Sequence, residues 1–246
     1  MENRRIFRLH LDPRSFNVCG RFDRHSSLAD FAHAIDDLNV KASEELPPSY
    51  NVAPSQRALV VRNTPEGRVA SALIWGLIPS WVKDSKKNRP INARSESVSE
   101  RPMFRRSFRT QRCLVLCNGY YEWRKQATGP KQPYYFQCPE ATPFVLAGLW
   151  ERNDHLDAEP LETFCVLTTT ASAAVDCIHH RMPIRLSRDA HADWLDSSVC
   201  DIEFLSRLMS SADNNWMFYP VSRYVNSPRN DSSRCLERDL STDRST

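Results

Sequence analysis

The sequence predicts a single α+β domain with a curved, largely antiparallel sheet, and three observations support this fold class. Most apolar residues lie in short runs of strand length, separated by polar, turn-forming segments. The chain holds 16 prolines against 6 glycines, a balance that favours fixed turns and strand ends. The 246 residues contain neither an internal repeat nor a linker long enough to divide the body of the chain.

The regular elements are predicted from local patterns. An amphipathic helix is expected over residues 26–39, because Ser26 or Ser27 can cap it and its apolar residues share one face. Strands are expected in the apolar stretches 58–61, 69–75, 113–116, 144–149, 164–169 and 216–221. Short helices are expected at residues 95–109, 172–177, 190–195 and 202–209.

The two ends differ from the body of the chain. Residues 1–18 show no convincing strand or helix pattern, which indicates a leader ahead of the domain. The domain itself is expected over residues 19–225. Residues 226–246 are polar with balanced charges, and this composition predicts a mostly disordered tail.

Composition excludes several functional classes. The net charge of +3 is compatible with a nucleic-acid partner but does not argue for one. No apolar run approaches the roughly 18 residues that a membrane span needs, so no membrane partner is expected. The sequence also lacks a GxGxxG or Walker-type loop, and a nucleotide cofactor is therefore not expected.

Cysteine usage indicates a reducing compartment. None of the 8 cysteines forms a C-x-x-C pair, so neither a zinc site nor a thioredoxin-type site is predicted. Several of them lie within apolar runs, where cysteine behaves as a small hydrophobic residue. Because no secretory signal is apparent, we expect a cytoplasmic protein with mostly free thiols and no metal.

Polar residues occur in unexpected surroundings at four places, and each has an ordinary structural explanation. An acidic residue among aromatics, such as Glu122, is more often a hydrogen-bond partner than a catalyst. The His179–His180 pair is typical of a surface, and tryptophans near Gly76 are typical of a core. The basic run over residues 83–112 fits a solvated face. Taken singly, none of these features decides the function.

Taken together, the motifs resemble the SOS-response-associated peptidase (SRAP) family over roughly residues 19–230. The motifs that carry the resemblance are Cys19-Gly-Arg-Phe22, Asn51-Val-Ala-Pro-Ser-Gln56, Trp75-Gly-Leu-Ile-Pro-Ser-Trp81, Asn92-Ala-Arg-Ser-Glu96, Cys117-Asn-Gly-Tyr-Tyr-Glu-Trp123, Ala147-Gly-Leu-Trp150, Thr168-Thr-Thr170, His179-His-Arg-Met-Pro183, Tyr219-Pro-Val-Ser222 and Val225-Asn226. The resemblance implies a β-rich domain with a barrel-like core and short flanking helices. It also implies a protein of the DNA damage response that binds single-stranded DNA and attaches covalently to abasic sites, with an autoproteolytic peptidase activity.

The resemblance also implies site residues. Cys19 would form the cross-link, Glu122 would act as acid and base, His179 would donate a proton that opens the sugar, and Asn92 would orient the cysteine. The residues implied in DNA binding are Arg21, Arg94 and Arg181 on phosphates, and Trp75 and Trp81 against bases.

The chemistry itself follows from the reacting groups. An abasic sugar is in equilibrium with an open-chain aldehyde, which an amine converts to an imine and a neighbouring thiol closes to a thiazolidine. Only a cysteine at the chain terminus supplies both nucleophiles. Its amine has a pKa of about 7.7 to 8.0 and its thiol one of about 8.5, so both are expected to be partly activated.

Cys19 departs from this requirement because it follows Val18 and is internal as written. Three explanations remain open. Val18 is the true start, read from a GTG codon and then removed; or a real leader is cut after Val18, by the protein itself among other agents; or the leader stays and the protein binds DNA without cross-linking.

Three functions are therefore weighed. The first is an abasic-site cross-linking enzyme with possible lyase activity, the second is a non-covalent module for single-stranded or modified DNA, and the third is a thiol peptidase that uses Cys19, His179 and Glu122. We expect a monomer whose partners are single-stranded DNA with abasic sites and replication-fork proteins. When it is bound to DNA, we expect it to be associated with the nucleoid. The basic residues expected on the DNA-facing side are Lys83, Lys86, Lys87, Arg89, Arg101, Arg105, Arg106, Arg109 and Arg112.

Overall fold

The computed structural model describes residues 19–84, 89–156, 159–211 and 215–240, and the predicted leader over residues 1–18 lies outside them. The strands are β1 (Arg21–Arg24), β2 (Ser49–Val52), β3 (Arg57–Thr64), β4 (Gly67–Trp75), β5 (Asn92–Arg94), β6 (Arg112–Cys117), β7 (Gly119–Arg124), β8 (Gln132–Gln137), β9 (Phe144–Asn153), β10 (Leu161–Thr170), β11 (Arg181–Pro183) and β12 (Met217–Pro220). The α-helices are α1 (Leu28–Ala32), α2 (Arg105–Thr110), α3 (Ala173–Asp176), α4 (His191–Leu195) and α5 (Ile202–Ser210), and 3-10 helices span Val40–Ala42, Arg188–Ala190, Arg223–Asn226 and Ser233–Leu236.

The larger sheet closes into a barrel. Its strand order is β11-β10-β4-β3-β6-β9, and β9 pairs in turn with β10, which completes the ring. All the pairings of this sheet are antiparallel except those of β10 with β4 and β5. A Cβ at Gly148 would lie 2.8 Å from Sγ of Cys113, so the barrel walls approach too closely there for any larger residue. The predicted fold class is confirmed.

A second, five-stranded sheet lies against the barrel in the order β12-β8-β7-β1-β2, and its pairings are antiparallel. Its inward side chains Phe22, Tyr120 and Phe136 share a buried cluster with Val60 and Phe164 of the barrel. Because side chains alternate along a strand, the intervening barrel residues, such as Leu59, face the other way. These side chains pack against the helices, so both faces of the barrel strands are buried.

Two predicted helices are shorter in the structure. The first forms only over Leu28–Ala32, where Ser27 and Asp30 make a capping box, and the chain then turns before Asp37 takes a positive φ of 57°. The second is reduced to Arg105–Thr110, because the backbone of Ser95 continues the β5 edge by donating to the carbonyl of Thr168. Tertiary pairing thus overrides helical propensity in the second segment.

Several strands of the smaller sheet were not predicted, namely β1, β2, β7 and β8. They mix polar and charged residues with aromatics, so neither strict alternation nor a continuous apolar run marks them. Some of these strands contribute residues to the candidate site, and buried polar side chains are common at such sites.

The C-terminal segment differs from the sequence expectation as far as the structure describes it, to residue 240. The buried side chain of Asn51 donates to the carbonyls of Val225, Ser227 and Asn230, and Cys235 is fully buried. Residues 226–240 are therefore folded onto the smaller sheet. The reason is a hydrogen-bond partner from a distant strand, which composition alone does not reveal.

Among the described helices, none combines the length and the apolar character that are needed to cross a bilayer.

Candidate active site

The candidate site begins at Cys19, which stands just before β1. Its side chain is fully buried, and its backbone has a φ of 45°, in the left-handed region. The backbone N–H of Cys19 donates to Oε2 of Glu122 at 2.8 Å. The antiparallel pairing of β1 with β7, in which Arg21 lies opposite Tyr121, brings these two distant residues together.

Glu122 is a buried carboxyl group that is poised for proton transfer. Its second oxygen, Oε1, accepts the backbone N–H of Trp123 at 3.0 Å, and only 4% of the residue is exposed. Burial raises its pKa to about 7, although the two N–H groups and the charge of Lys131 act in the opposite direction. Near neutral pH the group is therefore divided between its acid and base forms.

The thiol of Cys19 is not activated in this state. Burial, and next the negative charge of Glu122, raise its pKa well above the usual value. This differs from the partial activation expected for a terminal cysteine, because an internal Cys19 lies in an apolar cluster with Phe22, Ile91 and Trp75.

His179 is half-buried just beyond α3. Its Nδ1 accepts the backbone N–H of Arg181 at 3.1 Å, and its ring stacks on His180 with 4.4 Å between centroids. Burial, followed by the charge of His180, lowers the pKa of His179. The imidazole is therefore neutral near pH 7, and because Nδ1 accepts a hydrogen bond, the proton lies on Nε2.

Lys131 is a residue near the site that the sequence analysis missed. Its charge lowers the pKa of both Glu122 and His179, so it lies within electrostatic range of both groups. It directly precedes β8, in which Tyr134 pairs with Glu122. Knowing the register of the β7–β8 hairpin would have placed Lys131 near the site, but the sequence alone does not give this register.

Asn92 opens β5 and pairs with Val166 of the barrel. The preceding residue, Ile91, belongs to the same buried cluster as Cys19, and a Cβ placed on Gly20 would lie 4.0 Å from its Cδ1. These contacts place the start of β5 beside the Cys19 turn.

The three arginines expected at phosphates differ in their surroundings. Arg94 is exposed. Arg21 donates to Oδ1 of Asn51 at 2.8 Å, and Arg181 makes a bidentate pair with Glu96 at 2.7 and 3.0 Å. Arg94 is therefore the one of the three whose side chain is most open to a phosphate, while Arg181 would have to exchange its carboxylate partner.

The two tryptophans are separated by the structure. Trp75 is fully buried, its indole N–H donates to the carbonyl of Ile91 at 2.9 Å, and its ring packs on Phe22 and Phe164. The expectation that it stacks on a base is corrected, because it is a core residue. Trp81, by contrast, is 53% exposed.

The expected basic face is also narrower than the sequence suggested. Arg112 is buried and donates to backbone carbonyls that include those of Phe108 and Trp194, and Arg89 is buried as well. Both are removed from the face. Lys86 and Lys87 lie outside the described residues, and the exposed members are Lys83, Arg101, Arg105, Arg106 and Arg109.

The cysteines of the chain are all free thiols. Within the part of the chain that the structure describes, no cluster of three or more His, Cys, Asp or Glu side chains is arranged to hold a metal ion.

The structure therefore shows a barrel domain with a buried cysteine just before its first strand and a buried carboxyl group hydrogen-bonded to the backbone nitrogen of that cysteine. Comparison with known proteins identifies the class of protein. The chain belongs to the SOS response associated peptidase (SRAP) family, whose model matches residues 18–228.

Named relatives agree with this assignment. The chain is 36% identical to the abasic site processing protein YoaM of Bacillus subtilis, over 89% of this chain and 98% of that protein. It is 32% identical to the abasic site processing protein HMCES of Gallus gallus, over 77% of this chain and 66% of that protein. A crystal structure of a protein from Bacteroides thetaiotaomicron is similar with a TM-score of 0.75 and 25% identity, covering 90% of this chain and 100% of that one.

Proposed function

We propose that this protein processes abasic sites in single-stranded DNA by forming a covalent thiazolidine through Cys19. The observation that carries the proposal is the 2.8 Å hydrogen bond from the backbone nitrogen of Cys19 to Glu122. In the chain that includes residues 1–18 this nitrogen is a peptide N–H, which is not a nucleophile. Once those residues are removed, the same nitrogen is an α-amine held against the buried carboxyl group of Glu122.

The reaction then proceeds without any redox step. Ionised Glu122 takes a proton from the α-ammonium group, and the free amine attacks C1′ of the open-chain sugar. Protonated Glu122 returns the proton to the departing hydroxyl, so that water leaves and the imine forms. The thiol of Cys19 adds across the imine, with sulfur bonding to C1′ and the proton going to nitrogen. The net change is the loss of one water.

His179 serves the preceding step, which is opening of the cyclic sugar. Its neutral ring carries a proton on Nε2, because Nδ1 is held by the backbone of Arg181. We assign that proton to the ring oxygen of the sugar as the C1′–O4′ bond breaks, while the C1′ hydroxyl releases its own proton to water and becomes the aldehyde. Asn92, on the strand beside Cys19, would orient the cysteine, and Arg94 and Trp81 would hold phosphate and base.

The same geometry favours a second candidate activity, which is removal of the leader by the protein itself. Attack of the Cys19 thiol on the carbonyl carbon of Val18 breaks the peptide bond and transfers the acyl group to sulfur. Ionised Glu122 takes the proton of the attacking thiol and delivers it to the departing Cys19 nitrogen, and water then hydrolyses the thioester to a free carboxyl group on Val18 and a free thiol on Cys19. The observation that supports this candidate is again the hydrogen bond between that nitrogen and Glu122.

The test uses two purified forms, one beginning at Met1 and one beginning at Cys19. Each is incubated with a single-stranded oligonucleotide that carries one abasic site, and complexes that survive SDS are resolved on a gel. We expect the Cys19 form to give a covalent band that Cys19→Ala abolishes, and Glu122→Ala and His179→Ala to slow it. Cys177→Ala is the matched control, because this exposed thiol should be irrelevant.

Intact mass measured over time on the Met1 form decides between the sources of the free amine. Loss of residues 1–18 from the wild type but not from Cys19→Ala supports self-cleavage. A covalent band from a form that retains Met1 would contradict the thiazolidine route. If Cys19→Ala keeps full DNA affinity and no covalent band forms with any variant, the protein is a non-covalent DNA-binding module.

A further inference from the structure

Residues 76–84, which follow β4, combine a backbone held by hydrogen bonds with an exposed tryptophan. Among the described residues, large apolar side chains that are strongly exposed occur at Trp81, Met217 and Leu240. Trp81 lies near the middle of a segment that leaves the Cys19 core at Trp75. An isolated exposed tryptophan is ordinary, but the fixing of its backbone is not.

Buried polar side chains of the barrel hold the backbone on both sides of Trp81. Oε2 of Glu151 accepts the N–H of Ser80 at 3.2 Å. Nδ2 of Asn153 donates to the carbonyls of Pro79 and Val82, each at 2.8 Å. On the next strand, Oγ1 of Thr163 accepts the N–H of Ile78 at 2.9 Å.

The three side chains form one continuous polar patch on β9 and β10, which we call the loop clamp (Glu151, Asn153 and Thr163). Thr163 and Glu151 are cross-strand partners, and Asn153 lies two residues further along the same face. Their exposed fractions are 0%, 2% and 0% for Thr163, Glu151 and Asn153.

Polar groups buried this deeply are costly unless each is bonded, and here most of the bonds go to the loop. The second oxygen of Glu151 accepts the hydroxyl of Ser107 at 2.5 Å, and Arg106 donates to Oγ of Ser80 at 2.7 Å. The loop is therefore hydrogen-bonded both to the barrel strands and to α2. Apolar residues at these three positions could fill the same space, so packing alone does not explain why the positions are polar.

A fixed backbone under an exposed indole has a consequence for binding. Ordering a residue costs conformational entropy, and a loop that is already ordered spares this cost when a ligand binds. Aromatic side chains stack on unpaired bases whatever their sequence. Two exposed cations are close to Trp81 along the backbone: Lys83 follows it by two residues, and Arg106 is hydrogen-bonded to the preceding Ser80. Such cations suit the phosphates next to a stacked base.

We propose that Glu151, Asn153 and Thr163 are positioning residues that hold Trp81 as a preformed stacking platform for one unpaired base of single-stranded DNA. The proposal rests on the proposed function in taking single-stranded DNA as the ligand and Trp81 as the residue that meets a base, and it adds the residues that hold Trp81 in place. It does not depend on the covalent step.

The experiment is a double-mutant cycle on DNA affinity. The affinity of the Cys19 form for an unmodified single-stranded oligonucleotide is measured by fluorescence anisotropy for the wild type, Trp81→Ala, Glu151→Ala and the double variant. We expect Trp81→Ala to weaken binding about 5- to 100-fold, as loss of one stacked base does. Glu151→Ala should weaken it by a part of that factor, and the double variant should be no weaker than Trp81→Ala alone.

Two further variants separate positioning from general instability. Glu151→Gln can still accept the N–H of Ser80 and bond the hydroxyl of Ser107, so its affinity should stay within about 2-fold of the wild type. Thr163→Val keeps the side-chain shape and loses one clamp bond, and it carries the test if Glu151→Ala does not fold. Glu162→Ala is the control on the same strand, because Glu162 pairs with Arg62 outside the clamp.

The outcomes are distinguishable from those of the proposed function. If Glu151→Ala or Thr163→Val binds as tightly as the wild type, or if the losses from Trp81→Ala and Glu151→Ala multiply in the double variant, the clamp proposal is overturned. If the wild type binds DNA through Trp81 but gives no SDS-stable band at abasic sites, the covalent mechanism fails and the clamp stands.

Discussion

Two buried glutamates, one in each sheet, differ in the groups to which they are hydrogen-bonded. Glu122 lies in the smaller sheet and accepts the N–H groups of Cys19 and Trp123. Glu151 lies in the barrel and accepts the N–H of Ser80 and the hydroxyl of Ser107. Both carboxyl groups are satisfied and both are almost fully buried. What differs is the partner, which is the backbone nitrogen of a buried cysteine in one case and the backbone of a loop in the other.

The comparison teaches that burial alone does not identify a catalytic acid. Glu122 is a candidate because its raised pKa falls near 7 and because its hydrogen bond points to the nitrogen beside a thiol. Glu151 is a candidate positioning residue because its bonds end on a segment that presents an exposed indole. Removing either carboxylate should therefore affect different measurements.

The largest expected effect is on reaction rate. Glu122→Gln should slow cross-linking by ~100- to 10,000-fold, because general acid–base catalysis contributes a factor of this size and the amide cannot carry the proton. The rate of appearance of the SDS-stable band measures it, with the Cys19 form as starting material. Glu151→Gln is the contrasting variant and should react at nearly the wild-type rate at saturating DNA. Equal slowing of both variants would contradict the division of roles.

The next effect concerns stability against pH. The pKa of Glu122 rises from 4.5 to about 7 on folding, so the folded protein binds this proton more tightly than the unfolded chain does. Its contribution to stability is therefore complete below about pH 4.5 and is lost as the pH rises through 7. The loss is on the order of 3 kcal/mol, since one pKa unit corresponds to about 1.4 kcal/mol.

Urea unfolding of the wild type and of Glu122→Gln, between pH 4.5 and 7.5, isolates this contribution from those of other titrating groups. The difference in unfolding free energy between the two proteins should change across this window in the stated direction. A difference that stays constant with pH would show that Glu122 titrates normally.

A smaller effect is expected on the stability of the barrel. Glu151→Ala should lower the free energy of unfolding by about 1–3 kcal/mol, because the N–H of Ser80 and the hydroxyl of Ser107 lose a buried partner. Glu151→Gln should lose less, since it retains an acceptor and a donor. Thermal unfolding of both variants measures the effect, and a Glu151→Ala variant as stable as the wild type would show that water replaces the carboxylate.

The smallest effect is expected at Tyr120, which lies close to Glu122 in the smaller sheet. Its hydroxyl is buried and has no hydrogen-bond partner among the described residues, and burial raises its pKa well above the usual value. Tyr120→Phe removes an unsatisfied group and should raise the unfolding free energy by up to about 1 kcal/mol. A clear loss of stability would indicate that the hydroxyl is bonded after all, and unchanged cross-linking would show that the reaction does not use it.

Much of the fold could be read from the sequence because its signals are local. The barrel strands β3, β4, β6, β9 and β10 are apolar runs bounded by turns, and each was predicted. Four strands of the smaller sheet, β1, β2, β7 and β8, were missed because their polar residues are satisfied by partners far away in the chain. Asn51 is one such case, because its buried side chain donates to a carbonyl in the segment after Val225.

The candidate site divides in the same way. Sequence motifs proposed Cys19, Glu122 and His179, and the structure adds Lys131 near two of them. Trp75 and Trp81 belong to one motif and look alike in the sequence. Only their exposure, none for the first and 53% for the second, separates a core residue from a surface one.

The sequence by itself determined the family, the fold class and the residue types available for chemistry, because these are written in short motifs and in apolar patterns. The tertiary structure alone decided which carboxyl group meets the Cys19 nitrogen, which arginines are already paired, and what fixes the loop of Trp81. Many of these contacts join residues far apart in the chain, as for Ser80 and Glu151, which are 71 positions apart. Strand register sets such contacts, and register depends on the packing of the whole barrel rather than on any local pattern.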